Sequence, residues 1–409
     1  METNYFVCTL GQASVLNDKP RPYHTISQFL EHQAKSCSSK PAVGFPVPSN
    51  QDEWGCEVLT FSDILAGTRL FAERLSKHLV DIGNPRTVAL MAYSSPLFLF
   101  TWLGLMYLGH SVLLLAPQCQ PAAVVHLCKA CRVSVFFFDA AHAQRAADSK
   151  EAYGDDNGTD FVICEIPHGE DENIFQLVRQ SQSQFAPISN AQESDVAYLH
   201  HTSGTSSGLP KPIPQSHHGA MGVLPYLPGR TSKATFTTTP LYHGGIADTF
   251  RSWTSDSPIW LFPGGDVPIT ARNICRCLDV ARIWASNGEQ PQAKYFSSVP
   301  YVLQMMEADE YGLKLLKSME IVGVGGAALP VEVGDRLVQN NVNLISRFGS
   351  AECGFLLSSH RDYAKDREWQ YLRNYNPPEL LDFESNENEL SELVVKSGWP
   401  HRVHDRLTP

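Results

Sequence analysis

The sequence is short of what a nucleic-acid or membrane partner would need. Among 409 residues there are 32 Lys and Arg against 43 Asp and Glu, a formal charge of −11, and no long run of basic side chains. A phosphate-backbone footprint needs a positive patch, so the composition argues against nucleic acid as a partner. The opening METNYFVCTLGQ has no basic segment followed by an apolar one, so no secretory signal is visible. The ten cysteines are dispersed without the spacing of a small disulfide scaffold. They read as reduced thiols of an intracellular, cytoplasmic protein. His126-x-Cys128-x-x-Cys131 has ligand-like spacing, but no second knuckle follows, and Cys275 and Cys277 stand too close together to supply one. Buried thiols are the favoured reading there. A single apolar run, 97–116, approaches bilayer length, yet it contains Gly104, Gly109 and His110 and stops at Pro117. It is predicted to be a helix to about Leu108, a glycine turn, and a buried strand over 111–115, with no membrane span.

What is present is a 43% hydrophobic chain with ample material for two or three packed lobes. Helical periodicity marks 24–34 and the segment after Thr60, with Ser62 as a cap and Gly83 as an end. Strands are expected at 87–92 and 133–138, with a short helix over 121–131 between them. The polar stretches 140–157 and 180–194 read as surface connectors. From Asp195 a second alternation begins, with strands near 196–200, 234–238, 259–262, 294–297, 321–324 and 344–348, and helices at 270–285, 301–309 and 331–340. Residues 390–396 read as a strand of a smaller β element. The expected class is α/β: two doubly wound, mainly parallel sheets packed with helices, plus a small β element near the C-terminus. The expected division is 1–190, 191–368 and 369–409, the last being the truncated start of a small β subdomain.

The segment Thr202-Ser203-Gly204-Thr205-Ser206-Ser207-Gly208-Leu209-Pro210-Lys211 follows the strand at 196–200 directly. Glycines allow tight folding, so that N–H groups can face phosphate oxygens; hydroxyls add donors and Lys211 adds charge. The GxxxxGK[ST] spacing of the nucleotide-hydrolase loop is missing.

This string, read on as TSGTSSGLPKPIPQSH, resembles the signature loop of the adenylate-forming superfamily: acyl-CoA synthetases, peptide-synthetase adenylation domains and luciferases. Pro212-Ile213-Pro214 and the preceding His200-His201 look most like fungal synthetase-like proteins with an adenylation–carrier–reductase layout. The resemblance covers most of the chain, from about Thr25 to Gly398. It implies the large N-terminal domain of that fold, with Thr202 to Lys211 holding the β- and γ-phosphates of ATP and with Lys211 and Thr205 assisting catalysis. Pro240-Leu241-Tyr242-His243-Gly244-Gly245 resembles the segment that gates the acyl pocket, which implicates His243 and Gly244. Gly325-Gly326-Ala327, with Val324 before it, resembles the turn along the adenine that borders the substrate. Arg347-Phe348-Gly349-Ser350-Ala351-Glu352 resembles the motif with an adenine-stacking aromatic, Phe348, and a Mg²⁺-binding carboxylate, Glu352.

The resemblance implies an ATP- and Mg²⁺-dependent ligase, NRPS-like and of secondary metabolism, that converts a small carboxylic acid to its acyl-AMP and releases pyrophosphate. A carrier protein or CoA is the implied acyl acceptor. Three departures stand out. The loop is one residue longer between its first and last glycines than is usual in the family. Ala351 stands where many members have Thr, whose hydroxyl would contact the α-phosphate. After Glu392-Leu393-Val394-Val395-Lys396-Ser397-Gly398, the ribose-binding Asp, the hinge and the Lys-bearing C-terminal domain are not found. A separate chain supplying that domain, a non-catalytic ATP- or AMP-binding protein serving a larger synthetase, and an acyl-CoA ligase fragment are the competing expectations. The gating segment lacks the acid that pairs an α-ammonium in peptide-synthetase domains, so an aryl or aliphatic acid without an α-amine is favoured.

Overall fold

A computed structural model of the chain describes residues 3–17, 20–49, 53–79, 86–154, 161–169, 172–186, 191–202, 208–230, 233–288, 290–385 and 391–401. Helices α1 (Leu10–Leu16) and α2 (Ile26–Ser36) precede a hairpin of β1 (Pro41–Pro48) and β2 (Trp54–Thr60). There follow α3 (Phe61–Ser76), β3 (Thr87–Met91), α4 (Pro96–Tyr107), β4 (Ser111–Leu114), α5 (Pro121–Ala130), β5 (Val135–Phe138), α6 (Ala143–Tyr153), β6 (Val162–Glu165), α7 (Ile174–Gln180), β7 (Val196–His201) and β8 (Pro212–Ser216). The second run is β9 (Lys233–Thr237), α8 (Gly244–Trp253), β10 (Ile259–Leu261), α9 (Ala271–Ser286), β11 (Gln292–Ser298), α10 (Pro300–Ala308) and α11 (Glu310–Ser318). It continues through β12 (Ile321–Gly325), α12 (Val331–Gln339), β13 (Leu344–Ser350) and β14 (Gly354–Ser358), and β15 (Leu381–Ser385) and β16 (Ser391–Val395) form a separate ribbon.

Two large sheets result. One has the order β6-β5-β3-β4-β7-β8 and the other β14-β13-β12-β11-β9-β10-β1-β2. All their pairings are parallel except at three edges, where β8 on β7, β2 on β1 and β14 on β13 run antiparallel. The expected fold class is therefore the one that forms. The sheets do not follow the sequence division at 190: β7 and β8 complete the first sheet, and the β1–β2 hairpin joins the second. That hairpin escapes sequence reading because Pro41, Pro46 and Pro48 lie in β1. Pairing of β1 to the short β10 involves only Val43 and Gly44, so Pro46 and Pro48 deny β10 no hydrogen bond.

The apolar run 97–116 folds as predicted, α4 then β4, with Gly109 at φ 85° in the turn. Ser95 caps α4, and residues Phe98 to Tyr107 are all buried. No helix of the described residues is long and apolar enough to cross a membrane. Thr60, not Ser62, caps α3: its hydroxyl accepts from the Asp63 N–H while the Asp63 carboxylate accepts from the Thr60 N–H. Gly83 lies outside the described residues. The expected connector 140–157 contains α6, whose buried face is only Ala146, Ser149 and Tyr153. Such a stripe of two small residues and one ring gives too weak a periodic signal to read as amphipathic, although Tyr153 stacks on Phe161 at 4.2 Å.

Candidate active site

The two sheets meet at the carboxyl ends of their parallel strands. The Leu241 N–H, beyond β9, donates to the Ser94 hydroxyl beyond β3 at 3.1 Å, and the Gly264 N–H, beyond β10, donates to the Ser94 carbonyl at 3.0 Å. In open α/β sheets ligands lie outside these strand ends. All four motif segments leave such ends: the Gly/Ser/Thr loop after β7, the Tyr242 segment after β9, the glycine turn after β12, and the Phe348 segment at the end of β13.

The loop is closed at its base by a reciprocal pair. The Thr202 N–H donates to the Lys211 carbonyl at 3.0 Å, and the Lys211 N–H donates to the Thr202 hydroxyl at 2.9 Å. Ser203, Gly204, Thr205, Ser206 and Ser207 lie outside the described residues. Gly208 has φ 76°, and the Lys211 residue is exposed.

The strand entering the loop abuts the Tyr242 segment. The His200 Nδ1–H donates to the Tyr242 carbonyl at 3.3 Å, and the His201 and His243 rings stand 6.1 Å apart. His201 accepts the Ala116 N–H at Nε2 (3.2 Å) and donates from Nδ1 to the Thr202 carbonyl (3.0 Å), which fixes its tautomer. His243 is the residue before α8, and Gly244 and Gly245 open that helix. A Cβ on Gly245 would come within 2.3 Å of the Thr239 carbonyl, so this position admits glycine only. A cavity of about 510 Å³ adjoins Tyr242 on the side of the first sheet, with Tyr93, Gln118 and Arg145 among its walls.

Burial pushes the His200 and His243 imidazoles down to about 4, helped in each case by a neighbouring histidine. Both are neutral at pH 7. Their folded values lie below the ordinary histidine value of about 6.5, so between pH 6.5 and 4 the unfolded chain binds more protons. The stability they contribute is complete above that window and is lost as pH falls through it. We expect the melting temperature to drop steadily from pH 7 to pH 5; a flat profile over that range would contradict the buried, neutral placement.

Gly325 pairs with Arg347 in the β12–β13 register, so the glycine turn and the Phe348 segment lie side by side. Gly326 has φ 81°, and Ala327 beside it is exposed. Phe348 is 46% exposed, an uncovered ring in a protein that buries most of its others. Gly349 is required by close approach, since a Cβ there would lie 2.2 Å from the Gly354 carbonyl. Ser350 accepts the Cys353 N–H at 3.1 Å and closes the turn on which Ala351 and Glu352 are exposed. Among the described residues the Glu352 carboxylate has no hydrogen-bond or ion-pair partner. Val324 is 2% exposed and belongs to the core of β11, β12 and α9–α12, so its side chain offers no free surface.

Sequence reasoning missed the residues that lock these segments. Arg347 pairs with Asp248 of α8 at 3.1 Å, donates to the Ser297 hydroxyl at 3.0 Å, and lies over the Phe6 and Phe355 rings. Gln215 of β8 donates to the Ala351 carbonyl at 2.6 Å. These contacts join residues far apart in sequence, and no local pattern announces them.

A family profile of AMP-binding enzymes matches residues 30–378, and the chain belongs to that family. It is 27% identical to the non-canonical non-ribosomal peptide synthetase ascB of Acremonium egyptiacum over 66% of this chain and 24% of that protein. It is 25% identical to an adenylate-forming reductase of Aspergillus terreus over 93% of this chain and 37% of the reductase. The chain thus spans well under half the length of these two curated relatives, whose fungal synthetase-like and reductase character is the one read from the motifs. Among solved structures, the anthranilate CoA ligase AuaEII in complex with anthranoyl-AMP superposes with a TM-score of 0.66 at 17% identity, over 94% of this chain and 70% of that one. That likeness shows the shared fold.

Proposed function

We propose that this chain binds ATP and a carboxylic acid and forms the acyl-AMP with release of pyrophosphate. The observation that carries the reading is the meeting of four motif segments at the carboxyl ends of two sheets. They bring a Gly/Ser/Thr loop closed at its base beside Lys211, a glycine shelf, an uncovered Phe348 ring and a Glu352 carboxylate without a partner among the described residues. Those residue types fit a purine nucleotide with its metal: an aromatic face for the base, open backbone beside it, and a hard oxygen donor for Mg²⁺.

In this reading Thr202, Ser203, Gly204, Thr205, Ser206, Ser207, Gly208 and Lys211 receive the β- and γ-phosphates. Gly325, Gly326, Ala327 and Phe348 take the adenine, with Gly349, Ser350 and Ala351 alongside, and Glu352 holds Mg²⁺. Bound Mg²⁺ supplies neutralisation of phosphate charge. The protein supplies placement: it holds the acid carboxylate in line with the α-phosphorus and withdraws the leaving pyrophosphate onto the loop, with no covalent nucleophile of its own.

The acid lies beside His243 and Gly244, and Val324 contributes backbone only. Asp248 is the nearby acid that could pair an α-ammonium, but its two carboxylate oxygens are engaged by Arg347 and by the Thr237 hydroxyl. Neutral His243 offers no counter-charge either, which supports an aryl or aliphatic acid without an α-amine. The acyl acceptor in this reading is CoA or a carrier protein.

ATP–pyrophosphate exchange with Mg²⁺ over a panel of aryl, aliphatic and amino acids tests this. Exchange is expected with one non-amino acid class, and ATP at 100 times its Kd is expected to stabilise the fold by about 2.7 kcal/mol. A response to amino acids alone would sink the substrate class. ATP binding without exchange would assign the chain a binding role, or one completed by a separate chain carrying the C-terminal domain. No stabilisation by ATP or AMP would end the nucleotide reading.

A further inference from the structure

The turn that carries Glu352 is held from beneath by side chains to which the motifs assign no role. Gln215 Nε2 donates to the Ala351 carbonyl at 2.6 Å, and Trp399 Nε1 donates to the Cys353 carbonyl at 2.8 Å. His401 Nε2 faces the same Ala351 carbonyl at 3.4 Å. A carbonyl oxygen can only accept, so this contact makes Nε2 the protonated nitrogen of His401. The three residues are 5%, 3% and 6% exposed, whereas the turn above them is open to solvent. The seat for His401 is fitted: a Cβ on Gly219 would lie 2.4 Å from its Nδ1.

These donors grip the backbone on both sides of Glu352, at the residue before it and the residue after it. An exposed carboxylate is placed only as well as the backbone that bears it, because its own rotamer is free. The donors also come from two distant parts of the chain. Gln215 stands on β8, the strand leaving the Gly/Ser/Thr loop, and Trp399 and His401 follow β16. One turn is thereby tied both to the loop and to the segment beyond the small β ribbon.

We infer that Gln215, Trp399 and His401 are positioning residues for Glu352, and that they couple its reach toward a nucleotide-bound divalent cation to the Gly/Ser/Thr loop and to the 399–401 segment. This rests on the adenylate-forming reading above. It adds that residues making no contact with the nucleotide set the metal dependence of its binding. None of the three has to touch ATP for this to hold.

The test is calorimetric titration of the full chain with ATP over a series of Mg²⁺ concentrations, and with AMP in the absence of metal. Gln215→Met keeps the side-chain length and removes the donor; Trp399→Phe keeps most of the packing and removes the indole N–H. In each, the Mg²⁺ concentration giving half-maximal ATP affinity is expected to rise roughly tenfold, while metal-free AMP affinity stays within about twofold of the unmodified chain. Glu352→Gln sets the scale for complete loss of the carboxylate. An unchanged Mg²⁺ requirement in both variants, with AMP affinity intact, would overturn the inference. Equal loss of AMP and MgATP affinity would also overturn it, since the site as a whole would then have been disturbed. Absence of any Mg²⁺-dependent ATP binding by the unmodified chain would instead bring down the adenylate-forming reading beneath it.

Discussion

Replacing Glu352 with alanine is expected to lower ATP–pyrophosphate exchange by roughly 10²–10³-fold, the usual cost of deleting one preorganised electrostatic group. The melting temperature in the absence of nucleotide is expected to stay where it was. Glu352 is exposed on its turn, and among the described residues its removal breaks no hydrogen bond or ion pair. The proposed Mg²⁺ would then lose its protein carboxylate, and phosphate charge would be met by Lys211 and the loop alone. Excess Mg²⁺ should recover part of the rate, because a weakened metal site can be refilled by mass action. Exchange within threefold of the unmodified rate at limiting Mg²⁺ would remove Glu352 from the metal role.

The second large effect is on stability. Asp248→Ala is expected to destabilise the fold by about 3–5 kcal/mol, read as a shift of the urea midpoint, because it strands buried positive charge. Arg347 and Arg251 lie close together, and Asp248 is the carboxylate that answers Arg347. Burial pushes the Arg251 guanidinium down to about 10, and its Nη1 donates to the Tyr5 and Cys8 carbonyls at 2.9 and 2.6 Å. Arg347 Nε has no partner among the described residues. Removing Asp248 therefore leaves a guanidinium with little besides the Ser297 hydroxyl and two aromatic faces. The double variant Asp248→Leu with Arg347→Met should recover much of the loss, since a paired removal leaves no bare charge. A loss under about 1 kcal/mol in the single variant would show that water reaches this pair and screens it.

Arg347 also immediately precedes Phe348, while Asp248 stands one turn into the helix that begins after His243. The ion pair thus joins the segment proposed for the adenine to the segment proposed for the acid. Loss of Asp248 should be felt at both.

The chain's α/β class, most of its parallel strands after Thr87 and the four motif segments were legible from sequence because each is a local signal, whereas β6, α7, β8, α8, α11 and β14 were not read. Short apolar runs such as 135–138 mark buried strands, periodic stripes mark helices, and glycines and hydroxyls together mark a donor-rich loop. The helix α6 was not legible because its buried stripe is two small residues and a ring. The β1–β2 hairpin was not, because its prolines are tolerated only where the neighbouring strand is already too short to need them.

What the sequence by itself determined is the chemistry available: a loop rich in donors, an aromatic, a carboxylate, and a Tyr242-His243-Gly244 segment without an acid. The tertiary structure alone decided which strand joins which sheet, that Val324 points into the core, and that Asp248 is already engaged. It also decided that Gln215, Trp399 and His401 grip the turn of Glu352. The reason is physical. Local signals follow from the dihedral preferences and periodicity of neighbouring residues, whereas a hydrogen bond from Gln215 to Ala351 or an ion pair from Asp248 to Arg347 exists only once the folded chain brings distant backbones within about 3 Å.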